Sequence, residues 1–305
     1  MAYPTPMVTN TTGATFIPEL WSDEIIAAYK QNLVMANLVS KMSFKGKKGD
    51  TLHIPKPTRG AASLKASSAA VTLQAATESE VQVLVNKHYE YSRLIEDITE
   101  VQALASLRKF YTGDAGYALA KQVDTDLIRL GRGVNGGDGT ADYDGAVLAG
   151  DGSTAYVDGT NVGNAITDAG IRKIIQTLDD QDVPMDGRVL VLPPVARNTM
   201  MGLARFTEQA FTGETGGGNT IRNGEIGNVY GVKVFVTTNC DTATTNTTRI
   251  GMMFHKDAFV LAEQMGVRSQ TQYKQEYLGT LFTSDMLYGV KELRDEAAIA
   301  IALAA

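Results

Sequence analysis

The sequence predicts an α+β fold, because helical and strand patterns succeed one another without the regular spacing of βαβ units. Two further observations shape that prediction. One helical pattern runs from Ile98 to about Leu130, longer than an ordinary globular helix. One segment, residues 56–80, is rich in Ala, Ser and Thr and poor in large apolar groups. Such a segment cannot bury enough surface to order itself, so a neighbouring surface must supply what is missing.

Taken in order, residues 1–18 are polar, with Pro4, Pro6 and Pro18, and read as an extended arm. Trp21, Ile25, Ala28, Tyr29, Leu33, Ala36 and Val39 recur at helical spacing over Glu19 to Ser40. Lys45 to Asp50 is a turn, Thr51 to Pro55 a short strand, and Val81, Val83 and Val85 mark a second strand beyond the Ala/Ser/Thr excursion. In the long helix Ala115, Leu119, Val123 and Leu127 keep one face, and Gly113 and Gly116 weaken it. Residues 131–165 form a Gly/Asp-rich loop. A helix over Ala165 to Leu178 follows, opened by Thr167 or Asp168. Arg188 to Leu192 has the pattern of a buried strand and stops at Pro193-Pro194 before a helix over Val195 to Leu203. Val232 to Val236 and Ile250 to Phe254 are strands, and two or three more fill residues 258–303. The Ala297 to Leu303 segment alternates and is too short to span a membrane.

The chain has 305 residues, 44% of them hydrophobic and 20% charged, which is an ordinary globular composition. A net charge of -6 and a pI near 5.2 supply no global attraction to nucleic acid. Cys240 is the sole cysteine, so no intrachain disulfide forms. Met1 to Thr12 lacks the basic and apolar regions of a secretory signal.

Motifs that suggest chemistry fail their context tests. Gly131 to Gly136 matches G-x-G-x-x-G, but a helix precedes it where a dinucleotide site needs a strand. The glycine-rich Gly213 to Thr220 lacks a phosphate-binding lysine. Asp138, Asp142, Asp144, Asp151 and Asp158 lack the spacing and closing glutamate of a calcium loop, and Asp and Gly are also turn formers. His53, His88 and His255 form no metal-binding pair on a helix. No catalytic, cofactor or metal residue is therefore assigned.

Charge is distributed in blocks. Residues 45–65 carry Lys45, Lys47, Lys48, Lys56, Arg59 and Lys65 against Asp50, a net +5. Residues 78–100 carry Glu78, Glu80, Glu90, Glu96, Asp97 and Glu100 against Lys87 and Arg93, a net -4. Each block alone is a solvated face. Together they suit a basic loop reaching the acidic region of another copy, with Lys47, Lys48, Arg59 and Lys65 opposite Glu96, Asp97 and Glu100. Residues 136–186 carry ten aspartates against Arg172 and Lys173, a net -8.

The ordered set of local motifs resembles the major capsid proteins of tailed bacteriophages, especially short-tailed ones. These motifs are Phe16-Ile17-Pro18-Glu19-Leu20-Trp21, Lys48 to Pro55, Gly227 to Val234, His255 to Phe259 and Tyr288 to Ala297. Encapsulins and herpesvirus capsid floors share that fold. The resemblance implies an N-terminal arm and helix (1–45) and an extended β-hairpin loop (46–91). It also implies a peripheral domain with a spine helix (92–132 and 258–296) and an axial domain (133–257 and 297–305). The implied function is self-assembly through pentamers and hexamers into an icosahedral head around double-stranded DNA. A scaffolding protein, a portal protein and a possible decoration protein are the implied partners. Assembly would take place in the host cytoplasm, and the end location would be the virion. An encapsulin-type compartment, a tube-forming virion protein and a hydrolase or nucleotide-binding enzyme are the alternatives. Lys65 lies in the loop that carries a covalent cross-link in some members, but no asparagine partner or activating glutamate is matched to it, so the cross-link is not assigned to this chain.

Overall fold

The computed structural model describes residues 33–304 apart from 47, 58–59, 69, 72, 74–77, 103–106, 137–142, 144–146, 153–154, 158–161, 204–227 and 244–247. The N-terminal arm and most of the Glu19 to Ser40 helical pattern lie outside the described residues. What is described of that pattern is a single turn, α1 (Met35–Leu38), followed by a strand, β1 (Ser40–Ser43). β2 (Thr51–Pro57) and β3 (Glu78–Leu84) form a two-stranded antiparallel ribbon, with Pro57 opposite Glu78. Gly46 and Gly49, both at positive φ, make the turn that leads into it.

β4 (Lys87–Glu96) follows. The long helical pattern is present as α2 (Asp97–Gln102) and α3 (Leu107–Arg129). The 23 residues of α3 span about 35 Å. Leu130 to Arg132 tighten into a 3-10 turn, which ends the α-helix.

β5 (Val147–Ala149) and β6 (Ala155–Tyr156) precede α4 (Asp168–Asp180). The Thr167 side chain accepts from the Gly170 N–H at 3.1 Å, so Thr167 caps α4. β7 (Arg188–Leu192) is buried throughout, and α5 (Pro194–Met201) starts with Pro194 at its first position. β8 (Asn228–Val229), β9 (Val232–Val236) and β10 (Arg249–His255) lead to β11 (Phe259–Lys274), β12 (Gly279–Glu292) and β13 (Ala298–Leu303).

Two sheets organise these strands. The first has the order β1-β11-β12-β4 and the second β6-β5-β13-β10-β7-β9-β8. In the first sheet Phe259, Leu261, Met286 and Tyr288 face α3, where they meet Leu119, Val123 and Leu127. Val260, Ala262 and Leu287 face the other way and pack against Val83 and Val85 at the base of the ribbon, with Phe44. The ribbon crosses β12 at Gly289, where a Cβ would run into the carbonyl oxygen of Leu84.

In the second sheet β13 alternates small and large residues, as a strand buried on both faces must. Ile299, Ile301 and Leu303 pack with Ile171, Ile174 and Leu178 of α4 and with Ala196 and Met200 of α5. Ala298, Ala300 and Ala302 belong to the core shared with α3. That shared core joins the two sheets into one body.

Polar groups on the buried side of α3 fix its neighbours. Asp124 accepts from the backbone N–H groups of Val34 and Met35 at 3.1 and 2.8 Å and from the Asn239 amide at 3.0 Å. Burial pushes its carboxyl upward in pKa, and these hydrogen bonds oppose the shift. Two residues on, Asp126 takes the Tyr288 hydroxyl at 2.7 Å, the Lys87 ammonium at 3.0 Å and the Gln122 amide at 3.1 Å.

Candidate assembly surface

The described residues between Gly60 and Leu73 are exposed without exception. Among them Leu64 has a relative exposure of 101% and Leu73 of 91%, and Val71 is exposed as well. An isolated exposed leucine is ordinary; three exposed large apolar side chains within ten residues make a candidate contact surface. The segment lies between Pro57 and Glu78, which stand opposite each other in the ribbon.

The β11–β12 hairpin offers a second exposed apolar group. Its turn, Gln275 to Leu278, places Tyr277 and Leu278 outward, and Leu278 is 67% exposed at φ 43°. A left-handed leucine costs about 1–2 kcal/mol, so the turn is held by its surroundings. Asp97 supplies part of that hold: its carboxylate accepts from Tyr273 Oη at 2.8 Å and its N–H donates to the Leu278 carbonyl at 3.0 Å. Ile98 and Leu94 are exposed beside this turn.

These contacts place the acidic residues singled out from sequence. Glu96 ends β4 opposite Gly279, and Asp97 opens α2, so both stand at the end of the hairpin. Glu100 lies on α2, and its side chain is outside the described detail. Of the basic residues, Lys48 is exposed in the turn before β2 and Lys65 is exposed beside Leu64. Lys47 and Arg59 lie outside the described residues. Within one chain no ion pair joins the two described lysines to Glu96 or Asp97. Sequence reading missed the apolar members, Leu64, Leu73, Tyr277 and Leu278, because single leucines and tyrosines in polar segments carry no periodic signal.

The other singled-out residues are structural where they are described. Gly131 to Gly136 follows α3 and continues in 3-10 turns. Arg132 pairs with Asp241 at 2.8 Å, and Tyr143 donates to the same carboxylate at 2.9 Å. Gly213 to Thr220, Asp138, Asp142, Asp144 and Asp158 lie outside the described residues. Asp151 accepts from the Asn164 amide. His53 pairs with Glu80 across the ribbon, and His255 Nδ1 accepts from the Asp257 N–H. His88 pairs with Asp285, whose carboxyl is held below the usual range first by the Arg268 guanidinium and then by His88. Burial pushes the Cys240 thiol up to about 12, which removes it from nucleophilic chemistry near neutrality. Among the described residues no group of three or more His, Cys, Asp or Glu is placed to hold a metal ion, and no helix is long and apolar enough to cross a membrane.

Solved structures resemble this architecture over almost its full length. A protein of Mycobacterium phage Che8 is 23% identical, with a TM-score of 0.73, over 94% of this chain and 97% of its own. The capsid of the cyanophage P-SCSP1u is 17% identical, with a TM-score of 0.75, over 99% of each chain. The capsid of the cyanophage Pam1 is 13% identical, with a TM-score of 0.74, over 95% and 97%. No curated protein matches the chain. The family model of the phage capsid protein matches residues 16–304. With that match spanning nearly all of its length, and with the α+β fold of tailed-phage capsids, the chain belongs to the phage capsid protein family and is a structural protein of the virion shell.

Proposed function

We propose that the chain builds the head by head-to-tail association, in which residues 58–77 of each copy lie over the first sheet of its neighbour. The observation that carries this reading is the exposure of Leu64 and Leu73 on the segment between the two strands of the ribbon. Their partner is the apolar turn of Tyr277 and Leu278 with Ile98, rimmed by Glu96 and Asp97, which Lys65 faces as it enters. Apolar contact supplies most of the affinity, and the charges set register and orientation. Heterologous contacts of this kind close into rings of five or six, and the rings tile a closed shell.

In this reading the first sheet with α3 is the peripheral domain and the second sheet with α4 and α5 the axial domain. The ribbon with residues 58–77 is the extended loop. A scaffolding protein guides assembly in the host cytoplasm, a portal protein occupies one vertex, and decoration proteins are optional. The shell encloses double-stranded DNA without gripping it. The acidic segment 136–186 repels DNA if it faces inward.

Electron microscopy of the purified chain, co-expressed with its genomic neighbours, tests the reading. Closed shells of uniform diameter with five- and six-fold rings are the expected result. Dispersed monomers across salt and concentration would overturn it, and open tubes would favour a helical lattice. The charge contact has its own test. Lys65→Glu is expected to slow assembly several-fold at low salt, and Glu96→Lys in the same chain to restore the rate. Equal rates for the single variant and the parent, followed by light scattering, would remove Lys65 from the contact.

A further inference from the structure

The first sheet ends at β4, and the outer edge of β4 is open. The Asp97 N–H donates to the Leu278 carbonyl at 3.0 Å, next to the Glu96–Gly279 pair. Backbone groups along an antiparallel pair point alternately toward and away from the partner, and the register of β4 on β12 is unbroken. Ile95, Arg93, Tyr91, Tyr89 and Lys87 therefore turn their backbone groups to β12. Glu96, Leu94, Ser92, Glu90 and His88 turn theirs outward. All five are exposed, and among the described residues no hydrogen bond reaches their backbone N–H or carbonyl groups.

An open edge of this length is a template for another strand, and sheets block such edges with proline or with charge. The ribbon blocks one of its edges with proline. The Val85 N–H donates to the Asp50 carbonyl at 2.8 Å, and the same alternation points Pro55 and Pro57 away from β3. The outward residues of β4 include no proline. They carry Glu90 and Glu96 instead, which turn away an acidic strand and admit a basic one. The opposite edge of the sheet is open beyond β1 at Val267, Ser269, Thr271 and Tyr273, and these four carry no charge.

A segment of the same chain fits the acidic edge. Residues 60–66 are exposed, belong to no strand and contain no proline. Arg59 and Lys65 are six positions apart, and so are Glu90 and Glu96. A parallel strand with Lys65 beside Glu96 brings Arg59 beside Glu90. Alternate residues of a strand share a face, so Leu64 then turns to the face that holds Ile95. The parallel direction also brings Leu64 and Lys65 to the end of β4 nearest the Tyr277–Leu278 turn.

We infer that residues 60–66 of a neighbouring copy add a parallel strand to the outer edge of β4, so that two copies share one sheet. This inference rests on the head-to-tail contact proposed above and gives it a backbone component. Main-chain hydrogen bonds hold the segment to the edge, and the charge pairs set its register.

Amide hydrogen exchange tests the shared sheet. Assembled shells are labelled, dissociated and read residue by residue by mass spectrometry. The Glu90, Ser92 and Leu94 amides are expected to exchange roughly ten-fold or more slower in shells than in the free subunit. The Tyr91 and Arg93 amides, bonded to β12 in both states, are the internal reference. Ser92→Pro removes an outward donor and spares the bonds to β12, as Pro55 and Pro57 do in β2. It should leave a folded subunit, checked by circular dichroism, that assembles roughly ten-fold or more slowly. In the parallel register Ala62 turns its N–H toward β4, so Ala62→Pro in the exposed loop should slow assembly similarly. Shells without slowed exchange at the three amides would overturn the inference. So would slowing at Val267, Ser269 and Thr271 instead, or assembly of either proline variant at the parent rate. The head-to-tail reading survives these outcomes, because it needs only closed shells and a contact through Leu64 and Leu73. A parent chain that never assembles overturns both. If Ser92→Pro does not fold, exchange in the parent shells and the rate of Ala62→Pro decide.

Discussion

Replacing residues 58–77 by a two-residue Asn-Gly turn is expected to leave a folded subunit that builds no shells. The change is conservative for the fold, because Pro57 and Glu78 already stand opposite each other in the ribbon and a two-residue turn closes antiparallel strands. Leu64, Val71 and Leu73 are exposed, so the core does not lose these side chains. Between copies the loss is large. Burying three such side chains contributes roughly 5–8 kcal/mol per contact, which is about four to six powers of ten in association constant. Circular dichroism should match the parent, and sedimentation should show only small species. Shells of normal diameter from the shortened chain would sink the proposed contact. Leu64→Ser with Leu73→Ser removes the apolar contact and keeps the loop, and it should weaken assembly in the same direction.

Asp126→Ala is expected to cost about 3–5 kcal/mol in subunit stability, the largest effect of any single substitution considered. The carboxylate is nearly inaccessible and joins three elements: α3, β4 through Lys87 and β12 through Tyr288. Removing it strands the Lys87 ammonium and the fully buried Tyr288 hydroxyl. Burial, reinforced by Asp126, already holds that phenol far above its ordinary pKa, so it cannot relieve the loss by ionising. Asp126→Asn keeps an acceptor and should cost less than half as much. Urea denaturation of the unassembled chain measures both, and a cost below about 1 kcal/mol for the alanine variant would show that the network is dispensable.

The helical and strand elements with strong periodicity were legible in the sequence. Arg188–Leu192, Val232–Val236 and the three strands after residue 258 are present, and Thr167 caps α4 as its position before an apolar helix suggested. The α3 face was legible for the same reason, since Ala115, Leu119, Val123 and Leu127 are all buried. β1 was not legible. The helical pattern reads as ending at Ser40 and assigns nothing to 41–43, and only pairing with β11 more than 200 positions away makes Ser40–Ser43 a strand. Asp124 and Asp126 were missed because a carboxylate in an apolar repeat reads as the solvent side until its partners are known. At the candidate surface the charged residues were visible as blocks, whereas the apolar ones needed exposure, a property of the folded chain alone.

The parallel pairing of β1 with β11 has a consequence for the order in which the molecule can form. Ser40 meets Val260, so one side of the first sheet closes a loop of about 220 residues, and the ribbon has no sheet to rest on until β11 and β12 exist. Such long-range closure is slow, because the entropy of joining distant segments is lost before any contact compensates for it. During synthesis the adhesive stretch from Gly60 to Leu73 emerges long before the Tyr277–Leu278 turn that is proposed to receive it. A growing chain can therefore offer its loop but cannot yet accept one, and it gains the second half of the contact only once the β11–β12 hairpin has been made and has paired.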